Sequence, residues 1–216
     1  MIDRRRALLT QKKGGRLPSG YQEVEWIESH GNEFVNTELG LDLSQEWVVK
    51  AQISSDNGYW WNLFDYYGEQ IKFDVRYVRI SWVRFGSTSE YQYPPNNSSS
   101  PLVGFNTSPR IIRISNGALI IQKELTADEY VYNWTPATTI SQNDKVKIPK
   151  QGAQYKIFEV VVNQMQIKKL QLIPCYRKSD GVIGMYDLCG SICTLTGTPF
   201  YINAGTGTFT TGADVN

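Results

Sequence analysis

The chain has 216 residues and a net charge of +1, which gives no overall electrostatic case for a nucleic-acid binder or an anionic-membrane binder. A hydrophobic fraction of 41% is enough for a real core, and 13 Tyr with a 12% aromatic content favour strands over helices. Three cysteines, Cys175, Cys189 and Cys193, are an odd number and no disulfide framework. They read as small buried or half-buried residues, with a Cys189–Cys193 bridge and a zinc site as weaker alternatives.

The charge is unevenly placed. Arg4, Arg5, Arg6, Lys12, Lys13 and Arg16 stand against Asp3 alone, so the first 16 residues carry +5 and the remaining 200 about −4. Residues 1–19 therefore read as a basic arm, ended by Gly14-Gly15 and led into a domain over 20–216 by Leu17-Pro18-Ser19-Gly20. The reading places a partner protein on Arg4, Arg5, Arg6, Lys12 and Lys13; docking on the chain's own domain and a salt-sensitive nucleic-acid contact are the alternatives. Ala7-Leu8-Leu9 is too short for the apolar stretch of at least ~7 residues in a secretory leader. No stretch approaches the ~18 apolar residues of a membrane span. The expectation is a protein made and assembled in a cytoplasm, with no membrane insertion.

From Tyr21 onward the pattern is strand-like. Val24 and Trp26 alternate with Glu23 and Glu25, and a second short strand covers Asn32–Thr37. Glu46–Ser54 puts Trp47, Val49, Ala51 and Ile53 on one face and Lys50 and Gln52 on the other. Asp56-Asn57-Gly58 signals a turn into the most aromatic run, Tyr59–Tyr67. In Ile71–Phe85 the alternation of Phe73, Val75 and Tyr77 changes phase near Val78–Ile80, which calls for a bulge or two strands. Ser87–Val103 reads as a long polar loop.

Arg110–Ser115 and Ala118–Lys123 form a hairpin around Asn116-Gly117. Thr126–Tyr130 has the capping pattern of a short helix, with Thr126 as cap and Glu129 at its third position. Thr135–Lys150 is an extended connection. Gln154–Val162 and Met165–Ile173 read as a second hairpin around Asn163-Gln164, and Val182–Asp187 and Thr208–Thr211 close the domain. Roughly twelve strands and no substantial helix predict an all-β sandwich or barrel.

Chemistry-bearing patterns are sparse. A Ser-His-acid triad would have to use His30, the only histidine, and no Gly-x-Ser-x-Gly elbow surrounds a serine. Glu23, Glu25 and Glu28 have a spacing near that of laminarinase-type glucanases but depart from it at the central residue. They read as a solvated strand face, so no catalytic residue is assigned and no enzyme is expected. Calcium would need clustered oxygens, from Asp56 with Asn57 or from Asp180 with Asp187. No EF-hand-like run is present, and no metal or other cofactor is assigned. Lys178-Ser179-Asp180-Gly181 reads as a turn in which Arg177 or Lys178 pairs with Asp180 or Asp187. Ala204-Gly205-Thr206-Gly207-Thr208 lacks the lysine and helix of a phosphate loop, so its small residues serve close backbone approach. The binding candidates are aromatic: Trp60, Trp61, Tyr91 and Tyr93, whose rings suit the apolar faces of sugars or a protein contact.

Two stretches carry a resemblance. The opening is Leu17-Pro18-Ser19-Gly20-Tyr21-Gln22-Glu23-Val24-Glu25-Trp26-Ile27-Glu28-Ser29-His30-Gly31. The closing stretch holds Pro174-Cys175-Tyr176-Arg177-Lys178-Ser179-Asp180-Gly181, then Gly184-Met185-Tyr186-Asp187, then Phe200-Tyr201-Ile202-Asn203-Ala204-Gly205-Thr206-Gly207-Thr208-Phe209-Thr210-Thr211-Gly212. In that order they resemble the two ends of phage and prophage structural proteins that carry a concanavalin A-like (laminin-G-like) lectin/glucanase domain. The resemblance implies a two-sheet antiparallel jelly roll whose first and last motifs lie close together. It further implies a non-enzymatic virion protein of capsid, head fibre or tail, joined to other virion proteins through its arm. Because virion positions are symmetric, a homo-oligomer is expected, with outward loops that contact a host glycan, a host surface protein or another virion subunit. A bacterial surface or secreted carbohydrate-binding module is the alternative, and a glycoside hydrolase the remote one.

Overall fold

Nine residues with strict alternation, Gln45–Ile53, form the strand on which the rest is hung. Trp47, Val49, Ala51 and Ile53 are buried on one face, while Glu46, Val48, Lys50 and Gln52 are half-buried on the other. The computed structural model describes residues 15–54, 61–64, 71–76, 80–86, 91–93, 102–124, 126, 128–140, 145–150, 152–190 and 197–216. Among these there is no helix, and the strands are more numerous than the twelve expected.

In chain order they are β1 (Tyr21–Glu23), β2 (Ile27–Glu28), β3 (Val35–Gly40), β4 (Gln45–Ile53), β5 (Trp61–Asn62) and β6 (Ile71–Arg76). Then come β7 (Ile80–Phe85), β8 (Tyr91–Tyr93), β9 (Arg110–Ser115), β10 (Ala118–Lys123), β11 (Glu129–Asn133) and β12 (Lys145–Ile148). The last are β13 (Tyr155–Gln164), β14 (Ile167–Arg177), β15 (Ile183–Asp187), β16 (Phe200–Ile202) and β17 (Thr210–Thr211).

All pairings are antiparallel. The large sheet runs β11-β10-β9-β4-β13-β14-β15-β16, with β1 on β14 and β2 between β13 and β17. A second sheet runs β5-β6-β7-β8, and β3 pairs with β12. The large sheet presents Trp47, Val49, Ile112, Ile114, Leu119, Ile121, Val160 and Leu172 to the same core that holds Ile71, Phe73, Val75, Val83 and Phe85 of the second sheet. Ring contacts join the two: Trp47 meets Phe64 edge-on at 6.0 Å between centroids, and Tyr93 meets Tyr132 at 5.1 Å.

Several expectations are corrected. The alternation of Val24 and Trp26 does not persist, because β1 ends at Glu23 and β2 begins at Ile27. Between them Val24 bridges to Asp214, and Trp26 lies against Gly212, where a Cβ would meet the indole at 2.7 Å. The second strand runs from Val35 to Gly40, later than expected. Ile71–Phe85 contains two strands, one of the two outcomes expected there, whereas part of the expected polar loop is β8, paired with β7. The turn at Asp56-Asn57-Gly58 lies outside the described residues.

Thr126–Tyr130 is not helical. The Thr126 hydroxyl accepts from the Asp128 N–H at 3.3 Å, and β11 then runs along β10. Period-2 burial of Tyr130 and Tyr132 outweighs a local cap. The second hairpin turns two residues later than expected, at Met165-Gln166, because β13 stays paired with β4 as far as Gln164 opposite Gln45.

That turn holds two non-glycine residues in the left-handed region, Met165 at φ 48° and Gln166 at φ 64°. Met165 is 77% exposed, so it has little packing to lose. Replacing the pair by Met165→Asn with Gln166→Gly, the residues such turns prefer, is expected to raise stability by about 1 kcal/mol. A rise in the urea midpoint at unchanged slope is the readout.

Candidate functional site

The opening and closing motifs come together at one pole of the large sheet. Tyr21, Gln22 and Glu23 pair with Arg177, Tyr176 and Cys175, and Thr210 and Thr211 pair with Glu28 and Ile27. The Val215 N–H donates to the Glu23 carbonyl, and Gln22 Nε2 donates to the Val215 carbonyl at 3.1 Å. The glycines of the closing motif explain the closeness. A Cβ on Gly205 would collide with the Asn32 carbonyl oxygen, and one on Gly207 with the Glu33 carboxylate. The expectation that these small residues serve backbone approach holds for this loop.

Residue 16 ties the arm's root to this pole. Arg16 Nε donates to both Glu23 carboxylate oxygens at 3.0 and 3.2 Å, Arg16 Nη2 donates to the same carboxylate, and Arg16 Nη1 lies 3.9 Å from Glu159. The hydrogen bond to Glu23, opposed by burial and helped by the charges of Glu23 and Glu159, raises the Arg16 pKa. The docked part of the chain thus reaches back to residue 16, before the expected boundary at 20. Arg4, Arg5, Arg6, Lys12 and Lys13, the expected attachment residues, lie outside the described residues.

The same contacts dispose of Glu23 as a free carboxylate. Glu23 is buried on Arg16, Glu25 is exposed, and Glu28 is half-buried opposite Lys156 and Thr210. The three do not share one solvated face as expected, because the strand breaks at Val24. Ser29 Oγ sits 2.9 Å from the Glu33 carbonyl and 3.1 Å from the Ala153 carbonyl, turned into the backbone. His30 is exposed, and its backbone N–H donates to Glu33 Oε2 at 2.7 Å. The Cys175 thiol, opposite Glu23, is pushed up to about 12 by burial and then by the Glu23 charge, which keeps it protonated and inert. Cys175 and Cys189 are free thiols, and Cys193 lies outside the described residues.

The two aspartates considered for calcium stand at opposite ends of β15. Asp180 is held by Arg177 Nε at 3.0 and 3.1 Å, as the turn reading expects, and this bond lowers the Asp180 pKa. Asp187 is buried, and its Oδ1 accepts from the N–H groups of Gln171 and Cys189. The Asp180–Asp187 pair is therefore not a joint ligand set, and Asp56 and Asn57 lie outside the described residues.

The four aromatic candidates separate. Trp60 lies outside the described residues, and Trp61 begins β5 opposite Val75. Tyr91 and Tyr93 pair with Val83 and Ser81, and paired residues of an antiparallel ladder share a face. That face is the one turned to the large sheet. Tyr91 stacks on Trp134 with centroids 5.6 Å apart, and Tyr93 tilts onto Tyr132. Both rings are half-buried and close one edge of the core.

The opposite face of the second sheet holds residues that the sequence reading did not single out. Asp74, Trp82 and Gln92 lie side by side across β6, β7 and β8, with Lys72 and Arg84 as the next cross-strand pair. Lys72 Nζ is 3.6 Å from the Asp74 carboxylate, and both side chains are nearly buried, at 10% and 2% exposure. Trp82 is half-exposed beside them. The Asp74 carboxylate and the Lys72 ammonium are thus spent on one another below the surface, and the half-exposed Trp82 indole beside half-buried Gln92 is what this face presents for stacking on a sugar or another polar ring. The signal was available as alternation in β7, but it needs the β6–β7 register to become a site.

A concavity of about 400 Å³ lies between the 180–183 turn and residues 202–209, with Ile183, Ile202 and Phe209 among its lining and Asp180, Asn203 and Thr208 at its polar parts. Among the described residues no group of three or more His, Cys, Asp or Glu is placed to hold a metal. No model of a known protein family matches the chain, and no curated protein matches it.

Proposed function

We propose that the chain is a non-enzymatic virion structural protein of the phage type. On this reading residues 20–216 are a concanavalin A-like, two-sheet jelly-roll domain and residues 1–19 a basic attachment arm. The protein is assembled in the host cytoplasm, attaches to other virion proteins through Arg4, Arg5, Arg6, Lys12 and Lys13, and is displayed as an oligomer on a capsid, head fibre or tail. The observation that supports this most is the junction of the two sequence motifs. The opening and closing stretches hydrogen-bond to one another, and Arg16, at the root of the arm, is held on Glu23 at that junction.

The test is the composition of purified phage particles made by cells that carry the chain. The full chain is expected in the particles. A chain lacking residues 1–14 is expected to fold with an unchanged circular dichroism spectrum and to be missing from them. Particles without the full chain would sink the reading.

A second reading, a carbohydrate-binding module, is favoured by half-exposed Trp82 with Gln92 beside it on β8. It predicts that the truncated chain captures glycans on an array, and that Trp82→Ala loses at least tenfold in affinity, as expected for removal of a stacking indole worth more than about 1.4 kcal/mol. Absence of capture by the intact chain removes this second reading.

A further inference from the structure

We propose that two copies of this chain join edge to edge through β11, forming one continuous sheet across a two-fold axis at Val131. This pairing stands independently of what the domain binds or where it is displayed.

The argument starts from backbone parity. The Trp134 N–H donates to the Gly117 carbonyl, and the Lys123 N–H donates to the Asp128 carbonyl. In the register that pairs Ala118 with Asn133 and Gln122 with Glu129, these bonds fix which residues of β11 face β10. They are Tyr130 and Tyr132, with Asp128 and Trp134 beyond the strand ends. The N–H and C=O groups of Glu129, Val131 and Asn133 therefore point to the outer edge. Among the described residues no strand pairs with that edge.

The edge carries little that guards against pairing, since its one charged residue, Glu129, is already paired with Arg113 of β9. It holds no lysine or proline, and its register against β10 is unbroken. The last strand at the other end of the path, β16, is only three residues long and is followed by a bridge from Asn203 to Val35. The open edge is thus the longer of the two.

The sequence of β11 is complementary to itself. A two-fold at Val131 sets Val131 against Val131 of the second copy, and Glu129 against Asn133 of the second copy. Both are outward-facing pairs, so in this register every outer N–H and C=O of the strand finds a partner. The side chains agree with the backbone. Glu129 accepts from Arg113 Nη1 through Oε1 at 3.5 Å, and its Oε2 can accept from the Asn133 amide of the second copy. Val131, 51% exposed in one copy, meets its own image. It also sits beside half-buried Ile120, its partner on β10, so the contact extends that apolar pair across the axis. A register shifted by two residues would set Val131 against Glu129 or Asn133 and leave outer groups unpaired. The occupant that fits is a second copy.

The test is sedimentation velocity of the full chain across a concentration series. The intact protein is expected at twice the protomer mass. Val131→Pro removes the N–H at the axis, which β10 does not use, and should give a folded monomer. Val131→Lys places like charges opposite one another and should do the same, so the result does not hang on one variant folding. Asn133→Lys faces Glu129 of the second copy and should tighten the dimer severalfold at low salt, with the gain lost at high salt. An intact protein that stays monomeric overturns the proposal, as does a dimer unmoved by both Val131 variants. A dimer that Asn133→Lys does not tighten overturns the register.

Discussion

Substituting Gly205 by alanine should cost about 3 kcal/mol, more than a single methyl group ordinarily does. The added carbon would collide with the Asn32 carbonyl oxygen and lie 3.0 Å from the Phe34 ring. Neither obstacle yields easily. The Asn32 carbonyl also accepts the Thr206 N–H, and the Asn203 carboxamide oxygen accepts the N–H groups of both Phe34 and Gly205. Moving the loop away would break these bonds together, and overpacking against a fixed backbone sits at the costly end of such substitutions. Gly20→Ala is the control, because nothing lies within 4 Å of its Cβ position. It should change stability by less than about 0.5 kcal/mol. Urea unfolding of the two variants decides the matter. Equal midpoints would mean that the opening and closing motifs are not packed as described.

The second large effect is expected at Trp47. Its side chain is fully buried, its ring meets Phe64, and its Nε1 donates to Gln45 Oε1 at 3.0 Å. The same Gln45 oxygen accepts from the Asp42 N–H, and Gln45 Nε2 donates to the Gly40 carbonyl, so the indole also secures the turn before β4. Trp47→Ala should cost about 3–5 kcal/mol, a large share of the roughly 5–15 kcal/mol that holds an ordinary domain together. Trp47→Phe keeps most of the apolar surface and loses the hydrogen bond, and should cost about half as much. Thermal midpoints are the simplest readout. At about 2–4 °C per kcal/mol for a chain of this size the alanine variant should melt roughly 10 °C lower.

The two halves of the molecule were unequally legible. β4 and the β9–β10 hairpin could be read from the residues because one signal dominated each: uninterrupted alternation in the first, Asn116-Gly117 in the second. The β13–β14 turn was misplaced because Asn163 looks like a turn residue, whereas pairing with β4 carries the strand past it. The helix expected at Thr126 failed for the same reason: a cap is local, and the rings of Tyr130 and Tyr132 are placed by tertiary packing. The binding candidates suffered most. Tyr91 and Tyr93 lie in a stretch that reads as loop, and only their pairing with Val83 and Ser81 shows that they face the large sheet. The strip around Trp82 was hidden for the converse reason, since cross-strand neighbours are not sequence neighbours. The closing motif was legible as a signature, but its glycines became intelligible only with Asn32 and Glu33 beside them.

The position of β4 between β9 and β13 has a consequence for how the chain is made. About a hundred residues separate the end of β4 from the start of β13. At about 5–20 residues per second the ribosome needs roughly 5–20 s to supply the missing neighbour. β9 and β10 emerge first, so a three-stranded nascent sheet of β4, β9 and β10 can form while one side of β4 stays open. The first strand waits longest for its first partner, because among the described strands β1 pairs with β14 alone. Translation thus delivers the closing motif as the last fastening. A chain stalled before Leu172 would leave the ribosome with a long, apolar and unpartnered strand edge, and would be a substrate for chaperones rather than a shorter version of this domain.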